Sequence, residues 1–214
     1  MLLRPWCTFP GLAGGFRRPA SRIAVVDNPP PPDIVTERLR LAWMSPRFIE
    51  ASLAGRLEVA GLSLAVSLPD WWPDADVRRR LVMRLEQMRS HPRDSGWLLR
   101  AIVRAHGSEL VGVINFHGEP DERGRAELGY TVFEPYRRRG FASEAALGMM
   151  QWAHEAHGVG TFVLSISPAN LPSLNMAAKL GFVQVGSQMD EEDGEEWVFE
   201  LSAETLGSRL KLYC

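Results

Sequence analysis

The sequence predicts an α+β fold organised around one mixed, mostly antiparallel sheet of six to seven strands, with about four helices. Three observations carry that expectation. Before Glu127, apolar runs follow one another across short polar loops, the mark of antiparallel neighbours. After Glu127, strand-like runs alternate with helical ones, which asks for a crossover and a parallel pair. The 214 residues are 45% hydrophobic with no linker-like stretch in the middle, so one core is expected rather than two.

Each element has its own warrant. Val35 to Trp43 alternates as a strand, with Leu39, Leu41 and Trp43 on one face and Arg38 and Arg40 on the other. Ser45-Pro46 then opens a helix running towards Arg56 or Val59, because a serine oxygen can cap the first free amides and proline suits the first helical position. Leu62 to Leu68 is apolar without a clear period. Two adjacent tryptophans follow between prolines, Trp71 and Trp72, and they cannot both face inward from one regular element. One of them is expected to line a concave surface, with plain packing as the alternative. From Asp74 a helix carries Val77, Leu81, Leu85 and Met88 at spacings of three and four and stops near Ser90-His91-Pro92.

Trp97 to Val103 and Glu109 to Phe116 read as strands joined by Ala105-His106-Gly107-Ser108, and a polar loop from Gly118 to Arg125 leads into a strand from Glu127 to Val132. A long helix begins at Phe141, with Ala145, Met149, Trp152 and Ala156 on one stripe and Leu147 and Met150 beside it. Thr161 to Ile166 is a strand, and Ser173 to Leu180 a short helix stopped by Gly181. Val183 to Met189 and Trp197 to Leu201 form a closing hairpin around Asp190-Glu191-Glu192-Asp193-Gly194-Glu195-Glu196. The expected division is a basic, proline-rich arm over 1–32, a folded domain over 33–203 and a tail over 204–214.

The chemistry concentrates between Glu127 and Phe182. A strand ends at Val132, the chain turns through Glu134-Pro135-Tyr136, and Arg137-Arg138-Arg139-Gly140 precedes the helix at Phe141-Ala142-Ser143. The first amides of a helix have no intrahelical partner and sit at the positive end of its dipole, so a basic glycine turn at that point can hold phosphate. Gly140 and Ala142 leave room for oxygens to approach the backbone. By itself the turn could equally be a solvated basic loop.

The order strand, basic glycine turn, helix, strand, Asn170-x-x-Ser173, short helix, Lys179-x-Gly181-Phe182 resembles the GNAT family of acyl-CoA-dependent N-acetyltransferases. Within it, the likeness is to the branch that acetylates ribosomal-protein N-termini, and Thr36-Glu37-Arg38-Leu39-Arg40-Leu41 is similar to that branch's first strand. The resemblance runs from about Ile34 to Leu201. It implies acetyl-CoA as co-substrate, with the amides of Arg138 to Ser143 around its pyrophosphate and the side chains of Arg137, Arg138 and Arg139 near further phosphate. It also implies that Tyr130 and Val132 lie on a strand splayed from Thr161–Ile166, presenting backbone groups to the donor's amide-bearing arm, with Asn170 bonding the same arm. Glu127 is the implied base, acting on the amine through water.

Many members place a tyrosine two residues before the lysine of Lys-x-Gly-Phe. Here that position is Ala177, so Ser173 is the expected substitute. Plainer readings stand beside these: Glu127 as an outward strand acid, Asn170 and Ser173 as helix caps. The expected acceptor is a protein or peptide N-terminal α-amine. A small amine such as an aminoglycoside or polyamine, or a non-catalytic acyl-CoA sensor, are the alternatives.

Other classes find little support. The net charge of −2 argues against a general nucleic-acid binder. Cys7 and Cys214 have no metal-ligand spacing, and His154 and His157, the one close histidine pair, are read as solvated, so no metal is expected. No Gly-x-Ser-x-Gly occurs, and no Lys-Ser/Thr follows the glycine turn. No apolar run reaches the ~18 residues of a membrane helix. Pro5, Pro10 and Arg17 interrupt any signal-peptide core, so a cytoplasmic monomer or homodimer is expected. Asp70, Asp74 and Asp76 together with the acidic hairpin loop could rim the acceptor side and attract a cationic amine, or simply be solvated.

Overall fold

The computed structural model describes residues 30–190 and 194–213. The readings placed on residues 1–29, on Glu191, Glu192 and Asp193 and on Cys214 lie outside the described residues. One eight-stranded sheet runs in the order β1-β2-β3-β4-β5-β6-β8-β7. Its strands are β1 (Ile34–Val35), β2 (Leu39–Trp43), β3 (Arg100–Arg104), β4 (Leu110–Phe116), β5 (Arg125–Val132), β6 (Thr161–Ile166), β7 (Val183–Asp190) and β8 (Gly194–Ser202). All neighbours are antiparallel except β5 and β6, the crossover pair that the alternation after Glu127 predicts. The eighth strand arises because the expected strand over 35–43 is broken: the Thr36 amide donates to the Leu39 carbonyl at 2.9 Å, and the chain turns before pairing resumes.

Among the described residues six α-helices flank the sheet, against about four expected: α1 (Pro46–Leu53), α2 (Leu57–Leu64), α3 (Ala75–Ser90), α4 (Phe141–His157), α5 (Leu171–Leu180) and α6 (Ala203–Tyr213). The first two divide what reads as one helix and an ambiguous apolar run. A turn at Ala54-Gly55-Arg56 separates them, with Gly55 at φ 70°. The expected C-terminal tail is the helix α6, whose Leu206 is buried with α4. One core lies between the sheet and α4, α5 and α6, built on Phe141, Leu147, Met149 and Phe162. A second, on the other face, joins α1, α2 and α3 through Phe48, Ile49, Leu81 and Leu85.

Caps appear where the residues ask for them. Ser45 accepts from the Phe48 amide at 3.2 Å and Asp74 from the Val77 amide at 2.8 Å. Trp97 to Leu99 precede β3 rather than belong to it. His154 and His157 are exposed but not merely solvated: His154 Nδ1 lies 2.9 Å from the Val159 carbonyl, and the His157 ring sits 4.6 Å from Trp97 and 4.7 Å from Trp152. Arg100 is fully buried beneath Trp152, with its guanidinium carbon 5.0 Å from that ring. It donates to the carbonyls of Leu41 at 3.2 Å and Pro32 at 2.8 Å, so the end of the proline run is seated on the domain. Burial draws the Arg100 pKa down to about 10, which leaves it charged at neutral pH. Among the described residues no helix is long and apolar enough to cross a membrane.

Candidate active site

The parallel pair sets the geometry. β5 and β6 are in register only at Arg125↔Thr161, Ala126↔Phe162 and Glu127↔Val163. Beyond that point β5 runs on to Val132 and β6 to Ile166 without pairing, so the strands part and leave backbone groups of Leu128 to Val132 without a sheet partner on that side. At the far end of β5 the chain makes the short helical turn Glu134–Tyr136 and reaches α4. Arg138 and Gly140 both take positive φ, 60° and 80°, which curls the turn tightly enough to start α4 at Phe141. The first intrahelical bond there is from the Glu144 amide to the Gly140 carbonyl, 3.1 Å, and no side chain caps the helix. The amides of Phe141, Ala142 and Ser143 therefore remain without an intrahelical acceptor.

A clasp with no separate signal in the sequence holds this turn. Thr36 Oγ1 donates to Glu144 Oε1 at 2.7 Å, the Arg38 amide donates to the same oxygen at 2.8 Å, and Arg38 Nε donates to Glu144 Oε2 at 2.7 Å. Arg38 also donates to the Arg139 carbonyl at 3.1 Å. The arginine expected simply on the outer face of the first strand instead ties the β1–β2 corner to the start of α4. Of the three turn arginines, Arg137 donates through Nε to the Val132 carbonyl at 3.0 Å, and Arg139 lies over the Tyr136 ring at 5.9 Å. Arg138 is exposed.

Alternation divides the side chains of β5 between its two faces. Ala126, Leu128 and Val132 are buried towards α4, with Tyr130 packed beside them. The Tyr130 hydroxyl is enclosed without a hydrogen-bond partner of ordinary geometry. Burial raises its pKa, and the neighbouring Ser173 hydroxyl counters this only in part. Such an enclosed donor, the unpaired run of β5 and the three free amides all fit a donor with an amide-bearing arm and phosphates. Tyr130→Phe removes no formed hydrogen bond, so it should leave the free protein as stable or raise its stability by up to about 1 kcal/mol. The thermal shift produced by saturating coenzyme A should shrink; an undiminished shift would mean that the hydroxyl meets no ligand.

Glu127 points to the opposite face. Ser165 Oγ on β6 donates to its Oε1 at 2.7 Å, and Gln188 Nε2 on β7 donates to Ser165 Oγ at 3.1 Å. His117 Nδ1, just past β4, lies 3.5 Å from Glu127 Oε2. The His117 bond is the main cause holding the Glu127 pKa below the ordinary carboxylate value; burial opposes it, while Ser165 and the Arg84 charge assist. Glu127 is therefore ionised at neutral pH. His117, Ser165 and Gln188 escape a reading of the sequence because only the β5–β6 register and the turn after β4 bring them to Glu127. Once Glu127↔Val163 is known, alternation places Ser165 on the same face.

The remaining predicted positions separate. Trp72 is 3% exposed and donates to Ser52 Oγ at 3.0 Å, whereas Trp71 is 45% exposed with its ring edge-on to Phe133 at 4.9 Å. Asn170 caps α5, its Oδ1 accepting from the Ser173 amide at 3.2 Å. Ala177 is fully buried. Asp74 is engaged as the α3 cap and Asp76 is paired with Arg79.

A sheet opened beside an uncapped glycine turn, with an ionised acid on the other face, has the architecture of an acetyl-CoA-type N-acetyltransferase. Residues 49–183 match the model of the acetyltransferase (GNAT) domain, and the chain belongs to this family of acetyltransferases. It is 28% identical over 148 residues to an uncharacterised N-acetyltransferase, YjdG, of Bacillus subtilis, covering 69% of this chain and 88% of that one. Among solved structures, a ribosomal L7/L12 α-N-protein acetyltransferase in complex with coenzyme A superposes with a TM-score of 0.57 at 15% identity, over 81% of this chain and 99% of the other. The ribosomal-protein-S5-alanine acetyltransferase of Vibrio fischeri does so at 0.53 and 15%, over 79% and 96%.

Proposed function

We propose that this enzyme transfers acetyl from acetyl-CoA to the N-terminal α-amine of a protein or peptide in the cytoplasm, by direct attack and without a covalent enzyme intermediate or a metal. The observation that carries the choice of amine is the setting of Glu127, its oxygens held by Ser165 and His117, which keeps the carboxyl below its ordinary pKa. Such a carboxylate is a weak base. An α-amine, titrating near ~8, needs much less help from it than a lysine near ~10.4. The names of the two ribosomal-protein acetyltransferases of the same fold point the same way.

When bound, acetyl-CoA supplies a thioester carbonyl for the amine to attack. The amides of Arg138, Gly140, Phe141, Ala142 and Ser143 bind its pyrophosphate, with Arg137 and Arg139 beside it, and β5 from Tyr130 to Val132 with Asn170 orients its arm. Glu127 accepts the amine proton through water while His117 and Ser165 fix its two oxygens. Ser173, next to the enclosed Tyr130 hydroxyl, donates a proton to the departing sulfur or orients a water that does so. Trp71 walls the acceptor side.

A methyl group at position 129 tests the arrangement around Glu127. A Cβ added to Gly129 would stand 3.0 Å from His117 Nε2, so the ring must move while the sheet need not. Gly129→Ala should change stability by less than about 1 kcal/mol and lower kcat about tenfold, as small displacements of positioned groups do; an unchanged kcat would remove His117 from the mechanism. The proposal as a whole is tested by thiol release from acetyl-CoA against N-terminal peptides, polyamines and aminoglycosides, beside calorimetric titration of coenzyme A. Turnover confined to peptides is expected. Turnover on small amines alone would replace the acceptor, and binding with no turnover on any arm would favour a sensor.

A further inference from the structure

The sequence left open whether acids rim the acceptor side or are simply solvated; α3 lays two arginines along the face that carries Glu127. Arg80 and Arg84 are one helical turn apart and both reach over the face of the sheet that carries Glu127. Arg80 Nη1 donates to Thr131 Oγ1 on β5. Arg84 Nη1 donates to Gln87 Oε1 at 2.6 Å and to the His117 carbonyl at 3.3 Å. Every one of these acceptors is neutral. Among the described residues neither arginine has a carboxylate within ion-pair distance, whereas Arg79 and Arg89 on the same helix are paired with Asp76 and Glu50. Arg84 is half-buried, and its pKa is lowered chiefly by that burial, with Glu127 opposing the shift and Arg80 adding to it.

Holding two like charges together, one of them partly desolvated, is unfavourable; Glu127 offsets this through its field but is in ion-pair contact with neither, so a ligand carboxylate at the two forks would complete the set. Each guanidinium offers five donors in a planar fork suited to a carboxylate, and the bonds above engage one nitrogen of each. The pair spans the stretch from the His117 carbonyl, beside Glu127, to Thr131. An extended peptide advances at most ~3.5 Å per residue, so an amine near Glu127 places its first few side chains along these arginines.

We propose that Arg80 and Arg84 select the acceptor by binding a carboxylate in its first two or three residues, which makes the preferred substrate an acidic N-terminal peptide. This rests on the α-amine reading given above.

The test uses peptides with one fixed first residue and Asp, Asn or Lys at positions two and three, measured as kcat/KM. The Asp peptide should exceed its Asn counterpart by about tenfold to a hundredfold, the range for a hydrogen bond to a charged group. Arg84→Gln and Arg80→Gln should each cut that ratio about tenfold, and the double reversal to glutamate should turn the preference towards Lys. Arg79→Gln, on the same helix but outside the pair, should leave the ratio alone, and thermal midpoints confirm that each variant is folded. Equal rates on Asp and Asn peptides would overturn this inference while the α-amine reading stands. Free acidic amino acids turning over better than any peptide would retain the carboxylate contact but overturn the peptide as its source. A panel on which no peptide is acetylated would defeat both readings.

Discussion

Replacing Glu127 with glutamine is expected to lower kcat by about 10²-fold or more, the contribution of a positioned proton acceptor, with little change in the KM for acetyl-CoA. The amide keeps the shape and can still accept from Ser165, so the fold should hold. It cannot take a proton. The pH dependence sharpens the expectation. Because the folded pKa of Glu127 lies below its ordinary value, the carboxylate is ionised across the neutral range, and any rise of kcat/KM between pH 6 and 8 belongs to a group other than Glu127, the acceptor amine near ~8 being the expected one. Wild type and Glu127→Gln should therefore share that rising limb, displaced by a constant factor. The stability linkage has the opposite range. A depressed carboxylate stabilises the fold above its unfolded pKa of ~4.3, and that contribution is lost as pH falls through the lower folded value. The stability difference between wild type and variant should thus be present at pH 7 and vanish in acid below the carboxylate range, as followed by urea unfolding. A glutamine variant with wild-type kcat would assign the proton elsewhere.

Gly140→Val should be the next most damaging change. Gly140 sits at φ 80°, a region that costs a residue with a Cβ about 1–2 kcal/mol and suits a β-branched one least. An added Cβ would also stand 3.3 Å from Arg38 Nη2, pressing on the clasp to Glu144. If the turn straightens to relieve this, the amides of Phe141, Ala142 and Ser143 no longer converge. The expected result is a dissociation constant for coenzyme A raised by roughly fivefold to thirtyfold, on the strain figure alone. Calorimetry reads it directly. Unaltered affinity in a folded variant would show that the phosphates are held away from this turn.

Much of this molecule is legible in short stretches. Ser45 and Asp74 start helices and Gly181 ends one, as local capping chemistry requires. The strand, turn and helix from Glu127 to Ser143 announce themselves in the same way, since their signals are contiguous and depend on backbone conformation. The break at Thr36 to Arg38 and the helical ending after Ala203 were not legible, because each depends on what the segment packs against. Trp71 and Trp72 show the boundary well: the prolines on either side say that the two must differ, but only Ser52 and Phe133 decide which is buried.

The site divides along the same line. The sequence by itself determined the order of the elements from α3 to β8, the free amides at the start of α4 and the presence of an acid at the head of Glu-x-Gly-Tyr. Tertiary structure alone decided what those groups face. Arg38 meets Glu144 across 106 residues, Arg80 meets Thr131 across 51, and Ser165 meets Glu127 across 38. Such contacts depend on strand register and on the placement of α3 over the sheet. A shift of one residue would turn each strand side chain to the other face, so no local signal can specify the partner before the whole sheet is assembled.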